Sequence, residues 1–204
     1  MKLYFSPGAC SLSPHIVARE AGLPVELVKV DLRQKKTADG SDFTAINPKG
    51  YVPALQLDDG SLLTEGPAIV QYLADRKPEL GLAPQAGSIE RYRLQEWLTF
   101  IGTELHKQFS PLFAPTTPED IRKAQIEKLQ KRFAYTAGQL AGRPYLMGSQ
   151  FTVADAYLFV TLSWAEMMKI DLGALPVLQE YKVRVAGRAK VQEALAAEQA
   201  ARAA

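Results

Sequence analysis

The sequence predicts a small α/β domain followed by an all-helical one. Residues 1 to about 77 carry short apolar runs separated by turn signals, whereas residues after about 88 carry long helical patterns and almost no strand signal. Between them "PELGLAPQAG", residues 78–87, is rich in Pro and Gly and reads as a linker. The domains are therefore 1–77 and 88–204, and with 204 residues of which 47% are hydrophobic the chain can build a core in each.

In the first part "KLYFS" is a short strand candidate. "VELVKVD" at 25–31 is another, with Val25, Leu27, Val28 and Val30 set against charged residues. Between them "SLSPHIVAREAGL" puts Ile16, Val17 and Ala21 at helical spacing and ends at Gly22, a C-cap candidate. "PALQLDDGSLLTE" at 53–65 holds two short strands around Asp59-Gly60, a hairpin pair whose glycine tolerates positive φ. "GPAIVQYLADRK" follows as a helix with Pro67 in its first turn and Ile69, Val70 and Leu73 repeating. The order is βαβ, then ββα.

In the second part "SIERYRLQEWLTFIGTELHKQF" opens on Ser88, an N-cap candidate, and runs Leu94, Leu98, Ile101, Leu105 and Phe109 along one helical face. Thr117-Pro118-Glu119-Asp120 starts another helix, whose buried side is Ile126, Leu129, Phe133, Ala137 and Leu140. "FTVADAYLFVTLSWAEMMKI" at 151–170 is apolar nearly all round, the pattern of a helix buried centrally in its domain. Thr152 and Asp155 fit a capping box ahead of it.

Composition narrows the functions. A net charge of +2, with Lys and Arg interspersed with Asp and Glu, argues against a nucleic-acid partner. The start, MKLYFSPG, reaches Pro and Gly before a signal-peptide core could form, and no stretch approaches the roughly 18 apolar residues of a membrane span. The expectation is a soluble, cytoplasmic protein. One Cys cannot form an internal disulfide, and His15 and His106 give no metal-ligand spacing with it, so no metal is expected.

Three short units carry candidate chemistry. Cys10 sits in the Ser-Pro-Gly-Ala loop ahead of the first helix, where amide N–H groups favour a thiolate. A lone Cys is more often a small buried hydrophobe, but its neighbours here are not core-like. In "GYVPAL", Val52-Pro53 precedes a strand at a bend and is a candidate for a cis bond, against the plainer reading of an edge-strand proline. In "TEGPAIVQYL", Glu65 and Gly66 stand at a helix start. Amides there suit a carboxylate and the Glu65 side chain suits an ammonium group, although an acid complementing a helix dipole is commoner.

Taken in order, Cys10 at the first helix, "GYVPAL" before the third strand, "LTEGPAIVQYL" at the third helix and an all-helical second half resemble the glutathione S-transferases. "SPGACSLSPHI" and "ELHKQFSPLF" resemble the bacterial beta class, and the likeness covers essentially the whole chain. The resemblance implies a thioredoxin-like N-terminal domain, an all-α C-terminal domain with a hydrophobic electrophile pocket, a homodimer, and glutathione as co-substrate. Glu65 and Gly66 would hold its γ-glutamyl end. Val52 beside a cis-Pro53 would pair with the cysteinyl unit, Lys35 would meet the glycyl carboxylate, and Tyr51 would cover the edge of the site. His106 shares a polar stripe with Thr99 and Thr103, roughly 120° round from the Leu94–Phe109 face. By the same parallel it lies near the thiol, with Lys107 as a weaker companion and Glu104 reaching the glutathione of a neighbouring subunit. Thr99 stands where the family pattern has Asn. Trp164 reads as core, with the electrophile pocket as its other placement.

The implied activity is attack of the glutathione thiol on a hydrophobic electrophile, with Cys10 and His106 as the catalytic candidates. Tyr4 lies inside a strand, which leaves Ser11 as the rival hydroxyl. "CSLS" keeps the first cysteine of a redox C-x-x-C and replaces the second by Ser13, so glutathione-dependent disulfide exchange or peroxide reduction at Cys10 is an alternative. A non-catalytic ligand-binding or regulatory protein of this fold is a third, and the joint presence of Cys10, Lys35, Glu65 and His106 speaks against it.

Overall fold

The chain forms two units in the computed structural model, which describes residues 1–203. One comprises Met1–Ala83 together with the residues from Gly187 onward, and the other comprises Pro84–Ala186.

At the centre of the first unit is β1 (Lys2–Phe5). α1 (Leu12–Glu20) crosses over to β2 (Glu26–Asp31), which pairs parallel to β1 with Leu3 opposite Leu27. β3 (Lys36–Thr37) adds antiparallel to β2, and a one-turn helix, α2 (Phe43–Ile46), follows. β4 (Ala54–Gln56) runs antiparallel to β1, β5 (Leu62–Thr64) pairs with β4, and α3 (Gly66–Asp75) closes the unit. The sheet order is β3-β2-β1-β4-β5, the βαβ and ββα halves read from the sequence. β3 and α2 are additions to that reading. Both are too short to show a periodicity, and α2 is started by Asp42, whose carboxylate accepts from the Thr44 amide at 2.8 Å.

β1 is buried on both faces. Leu3 and Phe5 lie on the side of α1, while Tyr4 packs with Phe43, Val30, Val52 and Ala54 on the other. The turn between β4 and β5 places Gly60 at φ +85°, as the Asp59-Gly60 pair predicts.

The helical unit begins with α4 (Ile89–Phe100), where the Ser88 hydroxyl accepts from the Arg91 amide. The single helix expected to run on to Phe109 changes its winding. A π-helical turn spans Ile101–Leu105, a 3₁₀ turn spans His106–Phe109, and α5 (Ser110–Phe113) follows. Leu94, Leu98, Ile101, Leu105 and Phe109 are all buried, so the apolar face survives the change. Of the polar residues, Thr99 and Thr103 are exposed and His106 is half-buried. α6 (Glu119–Leu140) begins after Pro118, and α7 (Val153–Met167) is buried almost throughout, as its apolar sequence requires. The Thr152–Asp155 capping box is formed, with the Thr152 amide donating to Asp155 at 2.8 Å. α8 (Pro176–Ala186) completes this unit.

α9 (Ala189–Ala203) then packs along α1. The sequence reading carried the helical domain through to residue 204, whereas the residues from Gly187 onward are part of the first unit. The anchors are polar: Arg188 makes a two-point ion pair with Glu20, at 2.7 and 2.8 Å.

Candidate active site

Cys10 lies at the end of a tight loop. The Ala9 amide donates to the Ser6 carbonyl, and the Ser6 amide donates to the Ser11 hydroxyl. Gly8 makes the turn at φ +78°, a conformation that favours glycine, and a Cβ there would have to displace the mobile end of the Arg202 side chain, 2.7 Å away. The loop is clamped from α9. The Glu198 carboxylate accepts from the Gly8 amide at 2.8 Å, and Arg202 donates to the Pro7 carbonyl at 3.3 Å.

The partially buried Cys10 thiol donates to the Val52 carbonyl at 3.2 Å. That oxygen can only accept, so the sulfur is the donor in this contact. The amides of Leu12 and Ser13, at the start of α1, donate to the carbonyls of Ala9 and Cys10. The helix start uses these two N–H groups within its own turns, and the sulfur is tied to Val52. Ser11 is fully buried with its hydroxyl held by Ser6, and Ser13 donates to the Cys10 carbonyl. Both hydroxyls are structural.

Val52 and Pro53 are joined by a cis bond, as expected at this bend, and both are buried. Gly66 approaches the ring of Pro53, where a Cβ would stand 3.8 Å away. The start of α3 thus lies against the Val52-Pro53 bend, and with it Cys10, Val52, Pro53, Glu65 and Gly66 form one cluster. Glu65 is exposed with φ +69°, a conformation costing a non-glycine residue about 1–3 kcal/mol. Its carboxylate pairs with Lys49 at 2.6 Å. Lys35, also at positive φ, donates from Nζ to the Gly50 carbonyl at 2.9 Å, on the loop that leads into Tyr51 and Val52. Tyr51 is 62% exposed.

In the helical unit, His106 Nδ1 and the Tyr157 hydroxyl are 2.5 Å apart. The imidazole also meets Trp164 edge-on, at 4.8 Å between centroids, and Trp164 in turn contacts Phe109 and Phe113. Trp164 is 5% exposed, in agreement with a core residue, while Phe113 beside it is 44% exposed. Lys107 and the two threonines face solvent, the Thr103 hydroxyl donating to the Thr99 carbonyl. Glu104 pairs with Arg132 at 2.7 Å.

Sequence reasoning missed four groups here. Lys49 sits in a polar loop with no spacing signal. Glu198 and His15 become partners only because α9 returns to the first unit, and Tyr157 is one hydroxyl in an otherwise apolar helix. Among the described residues no group of three or more His, Cys, Asp or Glu could hold a metal ion. None of their helices is long and apolar enough to cross a membrane.

Residues 8–76 match the family model for the glutathione S-transferase N-terminal domain and residues 100–189 that for the C-terminal domain. The chain is 50% identical to glutathione S-transferase GstA of Escherichia coli O157:H7, over 97% of this chain and 98% of the relative. A sphingomonad glutathione S-transferase solved in complex with glutathione superposes with a TM-score of 0.94 at 50% identity, covering 98% of this chain and 99% of that one. The bacterial beta class glutathione S-transferase of Sphingomonas chungbukensis superposes with a TM-score of 0.94 at 47% identity, covering 97% and 98%. Both halves of the sequence and the whole architecture agree, and the chain belongs to the glutathione S-transferase family.

Proposed function

We propose that the protein transfers glutathione, joining its thiol to a hydrophobic electrophile. The observation that carries this reading is the cluster in the first unit. A thiol, the backbone of Val52 beside a cis proline, and a helix start bearing Glu65 stand together, and they suit the three parts of a γ-glutamyl tripeptide. The Val52 amide and carbonyl would pair with the cysteinyl unit as an added strand. The α3 amides would receive the γ-glutamyl carboxylate, Glu65 its ammonium group and Lys35 the glycyl carboxylate. Tyr51 would cover the edge.

Binding in this register competes with Cys10 for the Val52 carbonyl. The Cys10 thiol would be released toward the glutathione sulfur as the ligand takes that oxygen. Cys10 then neighbours the reacting thiol without being the attacking atom, and rate enhancement comes from proximity and a lowered thiol pKa of the bound tripeptide.

From the helical unit the reading assigns His106 to the reaction, with the exposed Phe113, backed by the buried Trp164, offering an aromatic surface for the electrophile. It includes a cytoplasmic homodimer. Thr99, Thr103 and Glu104 stay in the proposal as glutathione contacts, the last after release from Arg132. The test is retention on immobilised glutathione together with thioether formation from a chlorinated aromatic electrophile. Failure of the folded protein to bind glutathione would favour a non-catalytic role. Disulfide exchange at Cys10 is the second reading, favoured by the partial burial of the one thiol at the predicted site.

A further inference from the structure

Tyr157 is 4% exposed on α7, and a buried phenol needs a partner for its hydroxyl. The partner is His106 Nδ1. Tyr157 and Trp164 are seven residues apart on this helix, two turns, and so share a face. Both rings meet the His106 imidazole edge-on, at interplanar angles of 85° and 73°. One rigid, buried element therefore holds the imidazole by two rings and a hydrogen bond.

The backbone that delivers His106 is specialised for this contact. The π turn Ile101–Leu105 lies immediately before it, and such turns recur at functional sites because they re-aim the residues that follow. Gly102, inside that turn, lies against the Tyr157 hydroxyl, where a Cβ would stand at 3.8 Å.

We propose that Tyr157 is the positioning residue of His106: its hydroxyl occupies Nδ1 and fixes the ring, so that His106 acts in glutathione transfer through Nε2. A phenol can donate to a bare Nδ1 or accept from Nδ1–H. With Nδ1–H donating to the phenol oxygen, the bond persists in both the neutral and the charged ring, and the proton is gained and lost at Nε2. This rests on the transferase reading for the role of His106, while the bond itself does not depend on that reading.

The chain has two histidines, so His15 serves as an internal control in an NMR titration of the imidazoles. In Tyr157→Phe, the His106 resonances are expected to shift and titrate at a different pH, and those of His15 to stay as in the parent. With glutathione and a chlorinated aromatic electrophile, kcat of Tyr157→Phe should fall about 3- to 10-fold, the size of one lost hydrogen bond, with KM for glutathione nearly unchanged. In a His106→Ala background the same substitution should change kcat less than about 2-fold, because a positioning residue acts only through what it positions. An unmoved His106 titration, an equal movement of His15, or an equal loss of kcat in the His106→Ala background would each overturn the proposal. Absence of thioether formation by the parent would count against the transferase reading, and the titration would still decide whether Tyr157 governs His106.

Discussion

Glu198 of α9 accepts a hydrogen bond from His15 of α1 at 3.1 Å, with both side chains at least 95% buried. Arg19 donates to the other ring nitrogen of His15 at 2.9 Å, so Nδ1 carries the hydrogen that His15 gives to Glu198. The second Glu198 oxygen takes the Gly8 amide of the Cys10 loop. Glu198→Ala would orphan the buried His15 N–H, at about 1–3 kcal/mol, and remove one hydrogen bond from the half-buried Gly8 amide. We expect a loss of at least about 2 kcal/mol in urea unfolding and faster amide exchange at Gly8. A variant as stable as the parent would show that the clamp contributes nothing.

Asp155 predicts a pH dependence of unusual sign. Burial raises its carboxyl above the ordinary value of 3.8, while hydrogen bonds from Leu146, Thr152 and Tyr181 pull the other way. A carboxyl raised on folding contributes stability that is complete below its unfolded value and lost as pH rises through its folded one. Asp155→Asn lacks this titration. Its stability deficit against the parent should therefore be largest near pH 4 and should narrow as pH rises toward 6. Chemical unfolding at the two pH values checks this, and a widening gap would reverse the assigned direction. Asp59 and Asp39, lowered by hydrogen bonds from Ser61 and Thr37, act oppositely and lose their contribution as pH falls below about 4.

Glu65 and Lys49 separate recognition from scaffolding. Glu65→Gln keeps the shape of the side chain and removes the charge proposed to meet an ammonium group. A charge-assisted hydrogen bond of about 1.5–3 kcal/mol corresponds to roughly a 10- to 100-fold rise in KM for glutathione. Lys49→Ala removes a solvent-exposed ion pair with Glu65 and an exposed hydrogen bond to the Thr64 hydroxyl, and should change stability by less than about 1 kcal/mol. Steady-state kinetics and thermal melts on the two variants test both statements.

Where local chemistry decides the structure, the sequence was legible. The cis bond before Pro53, the Ser88 cap, the Thr152–Asp155 box and the turn at Gly60 each follow from a few adjacent residues. The π turn before His106 was hidden, because "IGTEL" keeps helical spacing on its apolar side and its altered winding shows only in the polar residues. The return of α9 was hidden for another reason: "AKVQEALAAEQAARA" is helical by composition, and only the partners of Arg188, Glu198 and Arg202 say where it packs. The site divides in the same way. Cys10, Val52, Pro53 and Glu65 announce themselves by context, whereas Lys49 and Tyr157 gain significance only from what they touch.

Cys10 distinguishes the two glutathione-dependent chemistries. If the bound tripeptide supplies the attacking sulfur, Cys10→Ala should keep conjugation within about 10-fold of the parent and lose exchange with a glutathione mixed disulfide almost entirely. Equal survival of both activities would make Cys10 a packing residue held by Val52.

The most direct measurement of the central claim is the steady-state rate of thioether formation from glutathione and a chlorinated aromatic electrophile, followed as glutathione is varied. Saturable turnover is expected, shifted by Glu65→Gln to higher glutathione concentration. A folded protein whose rate does not exceed the uncatalysed reaction, at any glutathione concentration, would contradict it.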